Sequence, residues 1–531
     1  MTADDRADVP LNLSRPGSRL ILHFDGAIPA GLEDCTAVIA AQHGRFVTRR
    51  IKFGGFDTDD LALHRAGVSL WVQHRRRRFI QTLTVPASGP AVPDAEASAA
   101  VPGFAPVPAL LPDDPAAPWR DGLLANAAHP IFTITIRRRQ CHLDAGESII
   151  GLAIDAGMIE AQGRSQTISE ASLTLQHGSP AALFEIAARI FADHPFSLTG
   201  ASPIARGYAL AQALPPPACK YLPSELDPAM AADALMRDIL RQCQAHILAN
   251  HAAAADGRDP EGVHQLRVGL RRLRSAFRLL RDVMPAAPLR DLEDEAKIAA
   301  TACGAARAWD VFLIETLPEI AAGCPRMVDF APLRAIAETR RAAAYAAVRE
   351  TLTDERYVRF HLALGTWIGG MAWPDPATAA PVGDFMAHAL TNCHRTMLRR
   401  GKHFRSLTPP ALHRLRIAAK ILRYTADFFR PFLGHRGAVK HYFRRLATMQ
   451  TQLGRYNDMA TTDRLVEQIA GDLASADAQQ AMGAIIGWEA RGMIETAPQL
   501  YAAWREFRKA DPPWPRHPLD DASHPRSKSG R

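Results

Sequence analysis

The chain has 531 residues, 63 Lys and Arg against 55 Asp and Glu, and a formal net charge of +8. That length predicts two or three domains. No uncharged apolar run is long enough to cross a bilayer, and the first residues lack the layout of a secretion signal. Seven scattered cysteines, odd in number and without a CxxC pair, exclude a zinc site or a disulfide framework, so the reading is a soluble protein of a reducing cytoplasm.

Residues 1–17 are expected to be disordered. Short β-rich runs follow at 19–24, 35–41, 46–53, 68–73 and 79–85, with turn residues between them. Residues 86–119, mostly Pro, Ala, Gly, Val and Asp, predict a flexible insertion. Strands resume at 131–136, 148–155 and 171–175, and a helix is expected over about 180–192. Three prolines at 215–217 mark a boundary, with 213–226 as linker. The predicted class is therefore an α+β N-terminal antiparallel β-barrel over 18–212, followed by an all-α domain over 227–510. The Ala-, Leu- and Arg-rich helical part divides into halves, about 227–360 and 384–510, each expected to be about four antiparallel helices related by an approximate two-fold. The Pro-rich tail 511–531 should be disordered.

One internal duplication dominates the helical part. The run ValHisGlnLeuArgValGlyLeuArgArgLeuArg at 263–274 returns as LeuHisArgLeuArgIleAlaAlaLysIleLeuArg at 412–423. In register, His264 answers His413, Arg267 answers Arg416, Arg271 answers Lys420 and Arg274 answers Arg423. The spacing i, i+3, i+7, i+10 places each set on one side of a helix. A second stripe is apolar: Leu266, Leu270, Leu273, Phe277 and Leu280, then Leu412, Leu415, Ala419, Leu422, Ala426 and Phe429. A basic stripe is ordinarily a solvated face, but such a face mixes signs so that i,i+4 pairs form. Residues 264–281 hold six arginines and no acid. Between 391 and 460 stand 15 Lys and Arg against two acids, Asp427 and Asp458. Both point to a polyanion: nucleic acid, an anionic membrane or a phosphate chain.

The helical part resembles the CHAD family, the conserved histidine α-helical domain. The resemblance rests on the paired motif, GlyAlaAlaArgAlaTrpAspVal (304–311), LeuGlyArgTyrAsnAspMet (453–459) and TrpArgGluPheArg (504–508). Ala308 departs from it, where the family often carries Asp. The resemblance implies a module that binds inorganic polyphosphate and gathers at polyphosphate granules. The contacts it implies are His264, Arg267, Arg271, Arg274, Arg278 and Arg307, with His413, Arg416, Lys420 and Arg423 from the second half. The physics fits: stripe residues recur about every 5 Å along a helix axis, and guanidinium forks bind phosphate oxygens with charge-assisted hydrogen bonds. The two histidines either donate to phosphate or make a helix-to-helix hydrogen bond.

The strand-rich part resembles the CYTH family, the triphosphate-tunnel fold, through residues 56–73, 79–83, 168–175, 181–187 and AlaArgGlyTyr at 205–208. Activity in that family requires alternating acids and bases inside a barrel, with Mg²⁺ or Mn²⁺ held by glutamates. Here the first strand carries no carboxylate. Trp71 and Gln73 stand where arginines are expected, and Thr84 where a lysine is expected. Ser172 and Thr174 follow Glu170 in place of glutamates. Arg138, Asp155, Glu170 and Arg206 remain. The expectation is a catalytically silent barrel without a metal or other cofactor. Arg49, Arg50, Lys52 and the run 75–78 are leftover cations, the last a solvated turn.

Three functions follow. The favoured one is a polyphosphate-binding module. The alternative is a metal-dependent inorganic triphosphatase or polyphosphate hydrolase, for which Mg²⁺ or Mn²⁺ would be required. Nucleic-acid binding through 391–460 is disfavoured by the lack of a helix-turn-helix, zinc finger or aromatic platform, and no membrane partner is expected.

Overall fold

The computed structural model describes residues 19–75, 78–85, 95–110, 129–198, 202–221, 230–281, 283–324, 328–371, 381–433, 437–472 and 475–515. The expectations for 1–17 and for most of the tail lie outside them. The described chain separates into two compact units. One takes residues to Glu225 with Leu240–Gly269 and Arg349–Met371; the other takes Leu226–Ile239, Leu270–Val348 and Ala372 onward.

Among its described residues the first unit is built on nine antiparallel strands. They are β1 Arg19–His23, β2 Gln42–Asp57, β3 Ser69–Arg75, β4 Arg78–Val85, β5 Ala95–Val101, β6 His129–Ala145, β7 Ser148–Ala161, β8 Arg164–His177 and β9 Ser197–Leu198. They pair in the order β5-β4-β3-β2-β6-β7-β8-β1-β9. Among the described residues no pairing joins β5 to β9, so the expected barrel is an open sheet. Within the insertion read as flexible, β5 pairs with β4 from Phe79↔Val101 to Val85↔Ala95. The run 35–41, read as a strand, instead forms helix α1 Thr36–Ala41. Its Ala37, Val38 and Ala41, spaced i, i+1 and i+4, are buried on one side of the helix, a grouping that strand alternation would split between two faces.

Alternation gives the sheet two faces. Leu20, Leu22, Leu143, Leu152, Ile154 and Leu173 point to one, where α1 and α3 Ala181–Asp193 cover them. Between α1 and α3, the short α2 Ala62–Arg65 is capped by the buried Asp57, whose carboxylate accepts from the amides of Leu63 at 3.0 Å and His64 at 2.9 Å. On the other face α4 Pro203–Gln212 lies across β6, β7 and β8. There Tyr208 packs with Phe53, Ile134, Ile136, Ile159 and Ile168.

The helices continue as α5 Ala232–Ala249, α6 His251–Asp256, α7 Pro260–Leu280 and α8 Ala286–Val311. A π turn at Phe312–Thr316 leads into α9 Leu317–Gly323, then α10 Ala331–Thr353 and α11 Glu355–Gly369. The second half holds α12 Val382–Arg400, α13 Pro409–Phe428, α14 Arg430–Leu433, α15 Gly437–Ile469 and α16 Ala476–Arg508. The first half does not form one separate bundle. Its α11 belongs to the first unit and packs on α3, at Gly365 and Gly369, where an added Cβ would stand 2.2 Å from the Phe184 ring and 2.4 Å from the Ala181 amide nitrogen. Backbone approach that close leaves room for hydrogen alone.

The tail begins later than expected. Trp514 is buried and its indole N–H donates to Thr391 Oγ1 at 3.0 Å, fixing 511–515 against the second unit. Among the described residues no helix is long and apolar enough to cross a membrane.

Candidate functional site

Both copies of the duplicated motif are helices, α7 and α13, and both start with proline at the first turn, where its missing N–H costs nothing. In α7 the Asp259 carboxylate also accepts from the Glu261 amide at 2.9 Å. The apolar stripes are buried as read: Leu266, Leu270, Leu273, Phe277 and Leu280 have no exposed surface, and neither do Leu415, Ala419, Leu422 and Phe429. Anchoring that side of each helix sets where the cations emerge. His264, Arg267, Arg271, Arg274 and Arg278 are all half-buried along one uninterrupted helix. On α13, Arg416 and Lys420 are half-buried, while His413 and Arg423 are exposed.

Within the second unit Arg271 and Arg416, one from each copy, are near enough for their charges to interact. Burial lowers the Arg416 pKa first, Asp458 opposes that, and the nearby charge of Arg271 lowers it further. Arg278 is likewise lowered by burial and then by Arg274, Arg281 and Arg400, with Glu293 opposing. Two like charges held together out of water are stabilised when an anion joins them.

The stripe is not free of acids, contrary to the reading from α7 and α13 alone. Arg416 Nη2 lies 3.7 Å from Asp458 on α15, and Arg307 Nη2 lies 3.0 Å from Glu315 in the π turn. Asp458 also feels Lys420 and Glu315, and its carboxyl is raised by burial before Arg416 pulls it back. Asp427 stands 3.7 Å from the buried Arg272 and 4.0 Å from Arg423. Arg272 additionally lies over the rings of Phe428 and Tyr424, so it serves helix packing rather than the stripe. His413 takes the second of its two expected roles: Nδ1 is 2.5 Å from Asn457 Oδ1 on α15.

In the segments 304–311 and 453–459, Arg307 alone carried an expected role. In the first, Trp309 is core, and the fully buried Asp310 accepts from Arg341 Nε at 2.7 Å and Tyr345 Oη at 2.8 Å. In the second, Asn457 and Asp458 meet His413 and Arg416. Those pairings join helices far apart in sequence, so spacing within one helix holds no signal for them.

The remnants on the sheet also come together. Direct cross-strand pairing sets Arg49, Arg138, Asp155, Glu170 and His23 in one row across β2, β6, β7, β8 and β1. Arg138 holds Asp155 by two bonds of 2.7 Å, from Nε and Nη2. Arg206, reaching in from α4, lies 2.7 Å from Glu170, and His23 lies 3.6 Å from the same oxygen. A cavity of about 220 Å³ beside the row is lined by Arg19, Arg138, Gln140, His142, Ser172 and Thr174. Trp71 packs against Phe53 in the apolar part of the face. A hard divalent cation needs several free oxygen ligands. Asp155 and Glu170 are each already bound to an arginine, so these residues do not fit a resident Mg²⁺ or Mn²⁺.

Residues 238–467 match the CHAD domain family. An uncharacterized protein of Mycobacterium tuberculosis is 29% identical over 325 residues, covering 59% of this chain and 60% of that protein. The chain thus spans about three fifths of the length of the curated relatives it matches. The crystal structure of the CHAD domain from the plant Ricinus communis is 32% identical, covering 54% of this chain and 97% of its own, with a TM-score of 0.48. A putative adenylyl cyclase from Hippeastrum, described as having a dominant triphosphatase activity, is 13% identical. It covers 36% of this chain and 94% of its own, with a TM-score of 0.23. Over residues 238–467, the paired histidine motif included, this chain is a CHAD domain.

Proposed function

We propose that the chain binds inorganic polyphosphate along the cationic stripes of α7 and α13, and that its N-terminal sheet is catalytically silent. The observation that carries the first part is the juxtaposition of Arg271 and Arg416. Two half-buried arginines, one from each motif copy, are near enough in the second unit for their charges to interact, and Arg274, Arg278 and Lys420 continue the charge along the two helices. A flexible polyanion relieves that repulsion at every contact, and guanidinium groups bind its oxygens in pairs. His264 and Arg267 continue the stripe along the same helix. Arg307, Arg423 and His413 contribute once ligand phosphates replace Glu315, Asp427 and Asn457 as their partners.

The silent sheet is supported by the two arginine–carboxylate pairs and by α4, whose Tyr208 fills part of the face with apolar packing. Hydrolysis of triphosphate would need both acids released and a third supplied. The same reading places the protein in the cytoplasm, at polyphosphate granules.

Calorimetric titration of the full chain with polyphosphate of defined lengths tests the binding. Affinity should grow with chain length and fall steeply with salt, because bound cations are released on binding. Duplex DNA at equal phosphate concentration should not displace the ligand. Equal displacement by DNA would turn the reading toward general polyanion binding, and absence of binding would end it. Phosphate release from tripolyphosphate with Mg²⁺ or Mn²⁺ tests the silent sheet; turnover lost in Glu170→Ala would refute it.

A further inference from the structure

A groove of about 630 Å³ runs along α12 in the second unit, walled by the last turn of α7 and by α13. Its length of contact on α12, from Phe385 to Arg400, corresponds to about 22 Å of helix. The wall is apolar over Leu279, Phe385, Ala389, Ile417, Ala418 and Ile421. The cations are Arg278, Arg281 and Arg400, with the Thr396 hydroxyl beside the last.

These two characters are separated along the groove. Arg278 and Arg400 are close enough for their charges to interact, and Arg400 is held in place by donating from Nη1 to the Arg414 carbonyl at 2.8 Å. Arg281 is paired with Glu293. Toward the other end stand Phe385, Ala389 and His388, the last hydrogen-bonded to Asn392 at 2.8 Å, with Asp384 at the rim. A phosphate polymer gains nothing from six apolar side chains, and a neutral hydrocarbon gains nothing from guanidinium groups. A concave apolar wall with a few convergent polar groups is the usual form of a small-ligand site.

We propose that this groove binds a single-chain amphiphilic anion, with a carboxylate or phosphate head at Arg278 and Arg400 and an alkyl tail along Phe385, Ala389, Ile417 and Ile421. Arg278 belongs to both the groove and the polyphosphate stripe, so the head group sits at the end of that stripe. The proposal itself does not depend on polyphosphate binding.

The test titrates the full chain, below micelle-forming concentrations, with hexyl phosphate, dodecyl phosphate, laurate, dodecanol and inorganic phosphate. Each buried methylene strengthens binding about three- to fourfold, so dodecyl phosphate should bind at least about tenfold more tightly than hexyl phosphate. Dodecyl phosphate and laurate separate a phosphate head from a carboxylate head; binding of either supports the site. Ile421→Asn, a neutral change at a half-buried position, should weaken alkyl phosphate binding at least about tenfold and leave the polyphosphate titration unchanged. Arg400→Gln should weaken dodecyl phosphate and leave dodecanol unaffected. Inorganic phosphate binding as tightly as dodecyl phosphate would overturn the proposal, as would dodecyl phosphate binding that ignores Ile421→Asn in a folded protein. Loss of polyphosphate binding with alkyl phosphate binding retained would instead remove the stripe reading alone.

Discussion

Asp458 Oδ1 lies 3.7 Å from Arg416 Nη2, joining α15 to the second motif copy at the arginine whose charge interacts with that of Arg271. Under the proposed function, Asp458 and a phosphate oxygen compete for the same guanidinium. Asp458→Asn keeps the shape and removes the charge. Polyphosphate should then bind a few-fold more tightly and with a shallower dependence on pH, since burial raises the Asp458 carboxyl above its ordinary range. Calorimetry at several pH values reads both, and weaker binding would show that Asp458 positions Arg416 rather than opposing the ligand.

The stripe itself should be separable from the fold. Arg267, Arg271, Arg416 and Lys420 emerge beside an apolar face that none of them forms. Each charge-assisted hydrogen bond to phosphate contributes about 1.5–3 kcal/mol. Replacing Arg271 and Arg416 together with Ala should weaken binding by a hundredfold or more, and replacing all four should abolish it. Circular dichroism and melting temperature should stay close to those of the parent chain.

On the sheet, removing one partner of a buried pair strands the other. Arg206 and Glu170 are both largely buried, so Arg206→Met should destabilise the protein by about 3–5 kcal/mol. Arg206→Met with Glu170→Gln should recover most of that loss. Thermal denaturation of the single and double variants checks it; equal stability of all three would mean the pair is idle.

Glu489 on α16 gives a pH signature to the second unit. Burial holds its carboxyl up at about 7, the Thr462 hydroxyl opposes, and Asp463, Glu319 and Asp458 add to the rise. The unfolded chain loses this proton near 4.5. Between about 4.5 and about 7 the folded state therefore holds a proton the unfolded state has lost, and stability falls as pH rises through that window. Glu489→Gln should raise the melting temperature at pH 8, by on the order of 2 kcal/mol of stability, and leave it unchanged at pH 4. A gain that persists at pH 4 would assign the effect to packing.

What lay in the sequence was whatever one helix or one strand settles by its own period. The paired stripes, the buried leucines opposite them and the α+β order are all local, since a residue's neighbours at i+3, i+4 or i+2 decide its face. The run 35–41 defeated that reasoning because its short β-branched pattern suits a strand or a helix equally, and packing against the sheet made it a helix. Tertiary structure alone decided which acids reach the cations. Asp458, Glu315 and Asn457 approach Arg416, Arg307 and His413 from other helices, and Arg206 reaches Glu170 from a helix laid across the sheet. Electrostatic energy depends on distance in space, and distance in space between separate elements is written in no single stretch of residues.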